Sequence, residues 1–386
     1  MQRIVCPERD DWRATAEAAG FSFHSIDDER YWDERAYYAF TLEEIERSIE
    51  APTNEIDAMC LEFAGRAIKD ERILRRMKIP ELYWTVIASS WERDERSLYG
   101  RLDFCFDGKG PAKLLEYNAD TPTSLFESAV FQWLWLEQAM ERRIIPAKAD
   151  QFNSIHERLI DAWKSIAGKR HLHLAGDFEH EEDACTLAYL EDTAQQAGLT
   201  TKRIAMGDIG WRRREGGFVD LENRHMDLAF KLYPWEWMFQ DEFGPNLKVA
   251  ATQWVEPPWK ALLSNKAILP LLWEMFPRHP NLLPSFFDDD PRAAELGTSY
   301  VRKPIYSREG ANVTLVSDGV AQEEQAGPYG SEGYVRQALA RLPVFSGFYP
   351  VLGSWLVDHV ACGMSIREDE TQITGNRSRF LPHAIL

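Results

Sequence analysis

The sequence is poor in cysteine and has no long hydrophobic run. Its 5 cysteines among 386 residues are widely separated, odd in number and never in a Cys-x-x-Cys pair, which excludes a disulfide framework or a zinc site of the usual spacing. No apolar run reaches the roughly 18 residues of a membrane span, and the N-terminus lacks the apolar segment of a signal peptide. These absences predict a cytoplasmic protein.

Positive charge is also scarce. The chain has 44 Lys and Arg against 62 Asp and Glu, a net charge of −18, which opposes non-specific binding to nucleic acid and mildly favours a cationic small substrate. With 45% hydrophobic and 27% charged residues, the composition is typical of a globular protein that is long enough for more than one domain.

A β-hairpin is predicted between residues 101 and 118. The segments 102–106 and 113–118 alternate charged or amide side chains with bulky apolar ones, and Asp-Gly-Lys-Gly-Pro at 107–111 supplies the turn. If the turn centres on residues 109 and 110, one face is apolar and faces the core. Its residues are Leu102, Phe104, Leu115 and Tyr117.

The other face of this hairpin is polar. The same turn pairs Arg101 with Asn118 and Asp103 with Glu116, and directly opposed residues lie roughly 5 Å apart. Carboxylate and amide oxygens suit Mg²⁺, and an arginine can bind a phosphate through its fork of N–H groups. The alternative is a solvated face with an ordinary ion pair, and a register slip of one residue would scatter the four groups onto two faces.

Helices dominate the predictions before and directly after the hairpin. Residues 10–17 and 41–47 each begin with a capping residue followed by acidic side chains. After the hairpin, residues 121–124 end the strand and precede a helix over 125–141, whose first amides are placed to receive an anionic group.

Residues 150 to 255 alternate between helix and strand. Helices are predicted over 154–166 and 183–197, and strands over 171–175 and 201–205, which indicates a small parallel-sheet domain. His171 and His173 share a strand face, but a His-x-His pair without a third ligand favours a structural role over a metal site.

The last third combines helix with antiparallel strands, which predicts an α+β unit. Lys266 lies in a predicted helix over 259–276 that Pro270 bends or stops, where it is either a ligand or a surface lysine. Lys303 lies in a strand that leads into a loop over 307–312 of small and amide residues. Such a loop can lay N–H groups over phosphates, with the lysine as a point charge beneath them.

Together these stretches resemble the synthetase part of glutathionylspermidine synthase and its stand-alone relatives of the ATP-grasp superfamily. The resemblance covers nearly the whole chain, in long segments that keep their order. The matching segments are 101–104, 115–124, 256–277, 301–313, 353–357, 366–369, 373–374 and 378–383.

This resemblance implies an ATP-dependent carboxylate–amine ligase that forms an amide through an acyl phosphate. It implies an α+β fold, in which an ATP-grasp catalytic unit surrounds a small α/β pre-ATP-grasp domain. The expected parts are 1–145, with the metal-binding hairpin, 146–255, the pre-ATP-grasp-like domain, and 256–386, the nucleotide-binding part. Glutathione-like peptides and polyamines or other amines are implied as substrate classes.

The resemblance also implies site residues, carried over position by position. Magnesium would be held by Asp103, Glu116 and Asn118. Arg101 and Arg367 would be catalytic, Arg101 as a phosphate ligand and Arg367 by neutralising the developing acyl phosphate. ATP would also contact Lys266, Lys303, Glu309, Gly310, Gln337, Ala338 and Leu339, and the peptide substrate would contact Thr121 and Ser124.

Three expectations limit this assignment. The bifunctional members of the family carry an additional N-terminal amidase with a catalytic cysteine, and we do not expect Cys6 to inherit that role. Arg367 has a structural alternative, which is an ion pair with Glu368 or Asp369. A degenerate nucleotide-binding module and a carbohydrate hydrolase with paired carboxylates are the competing functions.

Overall fold

The computed structural model describes residues 1–26, 28–308, 310–375 and 378–386. Within these ranges the α-helices are α1 (Trp12–Ala18), α2 (Leu42–Ile45), α3 (Ala51–Ala67), α4 (Glu71–Arg76), α5 (Trp84–Glu92), α6 (Gln132–Glu141), α7 (Ile155–Ala167), α8 (Glu181–Gln196), α9 (Trp235–Met238) and α10 (Ile268–Met275).

The strands are β1 (Gln2–Val5), β2 (Ser25–Ile26), β3 (Glu29–Arg30), β4 (Ala36–Phe40), β5 (Tyr99–Cys105), β6 (Lys113–Asn118), β7 (Leu172–Gly176), β8 (Thr201–Ala205), β9 (Gly210–Arg212), β10 (Gly217–Val219), β11 (Leu228–Lys231), β12 (Gln253–Val255), β13 (Ser285–Phe287), β14 (Tyr300–Pro304), β15 (Thr314–Ser317), β16 (Val320–Glu324), β17 (Tyr334–Ala338), β18 (Tyr349–Val357), β19 (Val360–Asp369), β20 (Arg379–Leu381) and β21 (His383–Ile385). Helices and separate sheets share the chain, which confirms the predicted α+β class.

The predicted hairpin forms one edge of a five-stranded antiparallel sheet. The strand order is β20-β19-β18-β5-β6, so the C-terminal strands complete a sheet that the first third of the chain begins. Arg101 pairs with Asn118 and Asp103 with Glu116, which confirms the predicted register. The four polar side chains therefore share one face of the hairpin.

The apolar face of the hairpin differs from the prediction at one residue. The register shifts after Asp103, so that Phe104 pairs with Leu114 and β6 holds an extra residue at this point. Leu114 is consequently 1% exposed in the core. Leu115, predicted to be core, is half-buried and packs against Cys105, Leu342 and Val351. The prediction for Leu115 was wrong because strict alternation does not survive a β-bulge.

A second antiparallel sheet carries the predicted lysine strand. Its order is β13-β17-β14-β15-β16, and Lys303 of β14 pairs with Val335 of β17. The preceding helix also differs from the prediction, because Pro258–Leu262 forms a 3₁₀ turn and α10 begins only at Ile268. Pro270 lies in the first turn of α10, where its missing N–H costs no bond, so it does not stop the helix.

The parallel-sheet unit is confirmed. Its strands have the order β12-β11-β7-β8, all parallel, with α7 and α8 as neighbouring helices. His173 Nε2 is 3.2 Å from Asp220 Oδ2, which fits the structural role. Among the described residues, no group of three or more His, Cys, Asp or Glu is placed to hold a metal ion.

The two ends of the chain meet in a small sheet that the sequence did not indicate. Strand β4 lies between β1 and the C-terminal β21, antiparallel to the first and parallel to the second. In the part of the chain that the structure describes, no helix is long and apolar enough to cross a membrane.

The bulge in β6 leads to a stability prediction. Leu114→Ala should lower the free energy of unfolding by about 2–5 kcal/mol, because it opens a cavity in the core. Leu115→Ala should cost clearly less, since that side chain is half-buried at the wall of a cleft. Urea unfolding of both variants measures the difference, and a larger loss for Leu115→Ala would contradict the shifted register.

Candidate active site

Two clefts meet above the polar face of the hairpin. The apolar cleft has a volume of about 800 Å³ and the polar cleft about 830 Å³, each counted with the solvent at its open mouth. The walls of the apolar cleft include Val301, Val313, Leu315, Ala338, Leu339 and Val351. Those of the polar cleft include Arg101, Asn118, Asp120, Thr121, Arg308 and Arg367. Both clefts are lined by Asp103, Glu116, Lys266, Gly310 and Thr374.

Arg101 and Asp103 form a bidentate ion pair at this junction. Arg101 Nε and Nη2 donate to the two Asp103 oxygens at 2.6 and 2.9 Å, and Nη1 donates to the Thr123 carbonyl oxygen at 2.6 Å. Burial raises the pKa of Asp103, and the neighbouring Arg101 opposes that shift. The structural alternative considered for Arg101, an ion pair, is therefore present, although the guanidinium still faces the polar cleft.

A glycine on the neighbouring strand makes room for Arg101. Gly353 of β18 pairs with Asp103, and a Cβ at this position would lie 2.5 Å from Arg101 Cδ and from Ser365 Oγ. A larger residue at this position would force Arg101 and Ser365 to move. A glycine inside a strand is the sequence signal for such a close approach.

Glu116 is held by lysines from other parts of the chain. Lys266 Nζ is 3.0 Å from Glu116 Oε2 and also donates to the Ser307 carbonyl oxygen at 2.9 Å. Burial alone would raise the pKa of Glu116, but the charges of Lys266 and Lys303 outweigh it and lower this pKa to about 2. Glu116 is therefore ionised, and Lys266 is not a free surface lysine.

Lys303 lies between the two antiparallel sheets. Its ammonium donates to the Leu115 carbonyl oxygen and to Gln337 Oε1, both at 2.8 Å, and Gln337 Nε2 donates to the Leu114 carbonyl oxygen at 3.0 Å. These bonds give hydrogen-bond partners to two backbone carbonyl groups of the edge strand β6. Burial lowers the pKa of Lys303 to about 8, although Glu116 pulls it upward.

Arg367 faces the polar cleft from β19. It donates to the Gly375 carbonyl oxygen at 2.5 Å, and its buried Nε has no hydrogen-bond partner among the described residues. Glu368 is engaged elsewhere, by Arg3 and Tyr38 at 2.8 Å. Arg367 therefore lines the polar cleft without Glu368 as an ion-pair partner.

The loop after β14 closes one side of both clefts. Gly310 has a φ of +72°, and a Cβ there would lie 2.9 Å from the Thr374 carbonyl oxygen, so the position requires glycine. Arg308 donates to Thr121 Oγ1, and its Nε is 3.6 Å from Glu236 Oε1. The predicted contact Glu309 lies outside the described residues.

The remaining predicted residues divide between the clefts and the interior. Gln337, Ala338 and Leu339 line the apolar cleft, and Thr121 lines the polar cleft. Ser124 is 1% exposed, lies outside both linings, and its hydroxyl is 2.9 Å from the Tyr31 hydroxyl. Ligand contacts of all these residues stay predictions.

The donor set fits magnesium. Asp103, Glu116 and Asn118 offer oxygen ligands on one face, the hard donors that Mg²⁺ prefers over soft metals. In the structure, Asn118 donates its side-chain amide N–H to Asp103 at 3.0 Å and to Glu116 at 3.4 Å. To bind a metal ion, the side-chain amide must rotate so that its oxygen takes the place of the N–H group.

Sequence reasoning missed three charged residues of the polar cleft. Asp120, Glu236 and Arg308 all line it, and they come from three separate segments of the chain. Asp120 and Arg308 lie inside segments that carried the family resemblance, which was the available signal. Glu236 belongs to the parallel-sheet part, and its position against the cleft follows only from the tertiary fold.

The chain is similar to several known proteins. A family model described as glutathionylspermidine synthase preATP-grasp matches residues 3–386. A protein of Haemophilus influenzae, provisionally named an acid–amine ligase, is 43% identical over 99% of both chains. The trypanothione synthetase of Crithidia fasciculata is 30% identical over 83% of this chain. The bifunctional glutathionylspermidine synthetase/amidase of Escherichia coli is 29% identical over 90% of it. The chain spans 52% and 58% of these last two proteins.

Glu116→Gln tests the hairpin as a magnesium site. The variant should weaken the magnesium-dependent part of ATP stabilisation in thermal melts, because a neutral amide replaces a ligand of nearly the same shape. Glu191→Gln is the control, since Glu191 is also partly buried and lies 3.0 Å from a cation, Arg203, outside both clefts. Equal magnesium dependence in both variants would remove Glu116 from the site.

Proposed function

Because the chain belongs to the glutathionylspermidine synthase family, we propose that it is an ATP-dependent carboxylate–amine ligase. The reaction forms an amide through an acyl phosphate, and a glutathione-like peptide and a polyamine or other amine are the proposed substrates. The division into parts 1–145, 146–255 and 256–386, and a cytoplasmic location where ATP is available, belong to the same proposal.

One observation carries the proposal: an apolar cleft and a polar cleft share a wall of two carboxylates and a lysine. A nucleotide needs an apolar pocket for its base and cations for its phosphates, and a carboxylate substrate must reach the terminal phosphate from the opposite side. The shared residues Asp103, Glu116 and Lys266 lie where these two ligands would meet.

The nucleotide fits the apolar cleft. Its side chains Val301, Leu315 and Leu339 suit the adenine ring, and Gln337 and Ala338 line the same cleft. Lys303 and Lys266 then lie toward the phosphates. Lysine acts on phosphate as a point charge, and both ammonium groups are already fixed by protein oxygens.

Magnesium would be held by Asp103, Glu116 and Asn118. Bound there with the nucleotide, it would neutralise charge on the phosphate oxygens. The Arg101 guanidinium holds Asp103 in place and presents its remaining N–H surface to the polar cleft. In this proposal Asp103 would bind the metal, and Arg101 would orient Asp103.

All bonds that form or break in this reaction are in the substrates. A carboxylate oxygen attacks the γ-phosphorus of ATP, ADP leaves, and the amine then attacks the acyl carbon and displaces phosphate. Negative charge spreads over the transferred phosphoryl oxygens, and Arg367, which lines the polar cleft, would bring positive charge to them. Positive charge prepared in this way lowers the barrier.

The alternative function is a degenerate nucleotide- or peptide-binding module. The charged groups of the junction are all present, and they are oriented by hydrogen bonds of 2.6 to 3.0 Å. These observations favour the enzyme. A carbohydrate hydrolase would need no nucleotide, so stabilisation by Mg·ATP separates it from both other functions.

An ADP-release screen tests the proposed function. The purified protein is incubated with Mg·ATP and thiol peptides, in all combinations with polyamines and amino acids. We expect ADP only where a carboxylate and an amine substrate are both present, together with an amide product of the summed mass less water. ATP binding without ADP release from any pair would favour the degenerate module.

Arg367→Ala separates chemistry from binding. On a substrate pair found by the screen, kcat should fall by about 10²- to 10³-fold, because the lost charge acts mainly in the transition state. ATP affinity should change much less. Arg302→Ala is the control, since Arg302 is a strand arginine bound to Asp288 at 3.0 Å outside both clefts. Full turnover of Arg367→Ala would remove its catalytic role, and parallel losses of rate and affinity would assign it to ground-state binding.

A further inference from the structure

A buried ion pair, which the proposed chemistry does not use, lies at the wall of the polar cleft. The side chains of Lys231 and Asp120 are 0% and 1% exposed, and Lys231 Nζ is 2.5 Å from Asp120 Oδ1. Lys231 also donates to the Tyr233 carbonyl oxygen at 2.9 Å, and Asp120 Oδ2 accepts the backbone N–H of Trp235 at 2.8 Å. Both charged groups are therefore fixed by more than one bond.

The pair joins the hairpin to the parallel sheet. Asp120 follows the predicted metal ligand Asn118 by two residues and directly precedes Thr121. Lys231 is the last residue of β11, at the carboxyl edge of a parallel sheet, where ligands commonly bind in such folds. The position of the backbone that leaves β6 is thus set by a strand from another part of the chain.

Stability alone does not explain this pair. Two apolar side chains of the same size are often as stabilising as a buried ion pair, because desolvation offsets the attraction between the charges. An ion pair with additional hydrogen bonds does fix direction and distance. It also keeps the carboxylate of Asp120, which lines the polar cleft, paired with its own cation.

A second set of contacts extends from the same pair. Asp120 binds the first N–H of α9, and the next residue of this helix, Glu236, approaches Arg308 to 3.6 Å. Arg308 in turn donates to Thr121 Oγ1. Since Asp120 and Thr121 are neighbours in the chain, Asp120, α9, Arg308 and Thr121 form a closed set of contacts at the wall of the polar cleft. A shift of Asp120 would therefore displace Thr121 directly and Glu236 through α9.

We propose that Asp120 and Lys231 are positioning residues of the ligase, which hold the segment 118–121 and α9 in register around the polar cleft. This inference rests on the proposed function. Neither side chain touches the reacting atoms; each acts through Asn118, Thr121 and Glu236. Loss of the pair should displace the carboxylate substrate and leave the nucleotide in the apolar cleft largely unaffected.

Two variants test the pair. Asp120→Asn removes one charge but keeps an oxygen for the N–H of Trp235, and Asp120→Asn with Lys231→Met removes both charges, so that no lone charge is buried. In both variants the backbone amide hydrogens of 119–124 and 235–238 should exchange with solvent at least about tenfold faster than in the parent. Turnover should fall about 10²-fold, the cost of a misplacement near 1 Å, with a raised KM for the carboxylate substrate and a KM for ATP close to that of the parent.

A matched control separates positioning from general destabilisation. Arg9 and Glu34 form another ion pair with both side chains 0% exposed, at 2.7 Å, and they line neither cleft. Arg9→Met with Glu34→Gln should lower the melting temperature but leave turnover of the remaining folded protein and the exchange of 119–124 as in the parent.

The outcomes decide between the roles. Parent-like turnover and parent-like exchange of 119–124 in the folded double variant would overturn the proposal. An equal rise in the KM values for ATP and for the carboxylate would also overturn it, since a merely structural loss affects both clefts. If the parent releases no ADP with any substrate pair, the proposed function fails, and the exchange comparison alone decides whether the pair holds this segment.

Discussion

The architecture of the site depends on charge compensation where the two clefts meet. Asp103 and Glu116 lie opposite each other on the hairpin, and two carboxylates that are neighbours and partly removed from water repel each other and lose hydration. Arg101 binds the first and Lys266 the second. The pKa of Glu116 is lowered to about 2 despite its burial, which shows that the cations more than compensate. Under the proposed function, a divalent cation and phosphate would bind at this junction.

Asp103 is compensated within its own strand, because Arg101 also belongs to β5. The cations that compensate Glu116 are distant in sequence, since Lys266 belongs to the segment before α10 and Lys303 to β14. Glu116 is therefore stabilised only when these parts of the chain are docked against the hairpin. Folding and site formation are coupled for this reason, and a partly folded chain would expose uncompensated charge on the hairpin.

Much of this arrangement could be predicted, because local patterns determine local structure. Alternation and turn residues gave the pairing of Asp103 with Glu116, and βαβ alternation gave the parallel sheet. The sequence did not predict that Leu114, and not Leu115, lies in the core, because a two-residue alternation pattern does not indicate a bulge. The placement of Glu236 and Lys231 depends on how the parallel sheet docks against the hairpin, which a single sequence does not reveal.

The bulge itself links the two halves of the site. The extra residue in β6 turns Leu115 away from the core, and its carbonyl oxygen then receives the ammonium of Lys303. The neighbouring carbonyl of Leu114 accepts Gln337, so side chains of the second sheet satisfy the open edge of β6 that would otherwise need water or another strand. The side chains of Lys303 and Gln337 also line the apolar cleft. A nucleotide that pulled Lys303 toward its phosphates would therefore weaken the bond between Lys303 and the Leu115 carbonyl oxygen. Binding in the apolar cleft would in this way affect β6, the strand that carries Glu116 and Asn118.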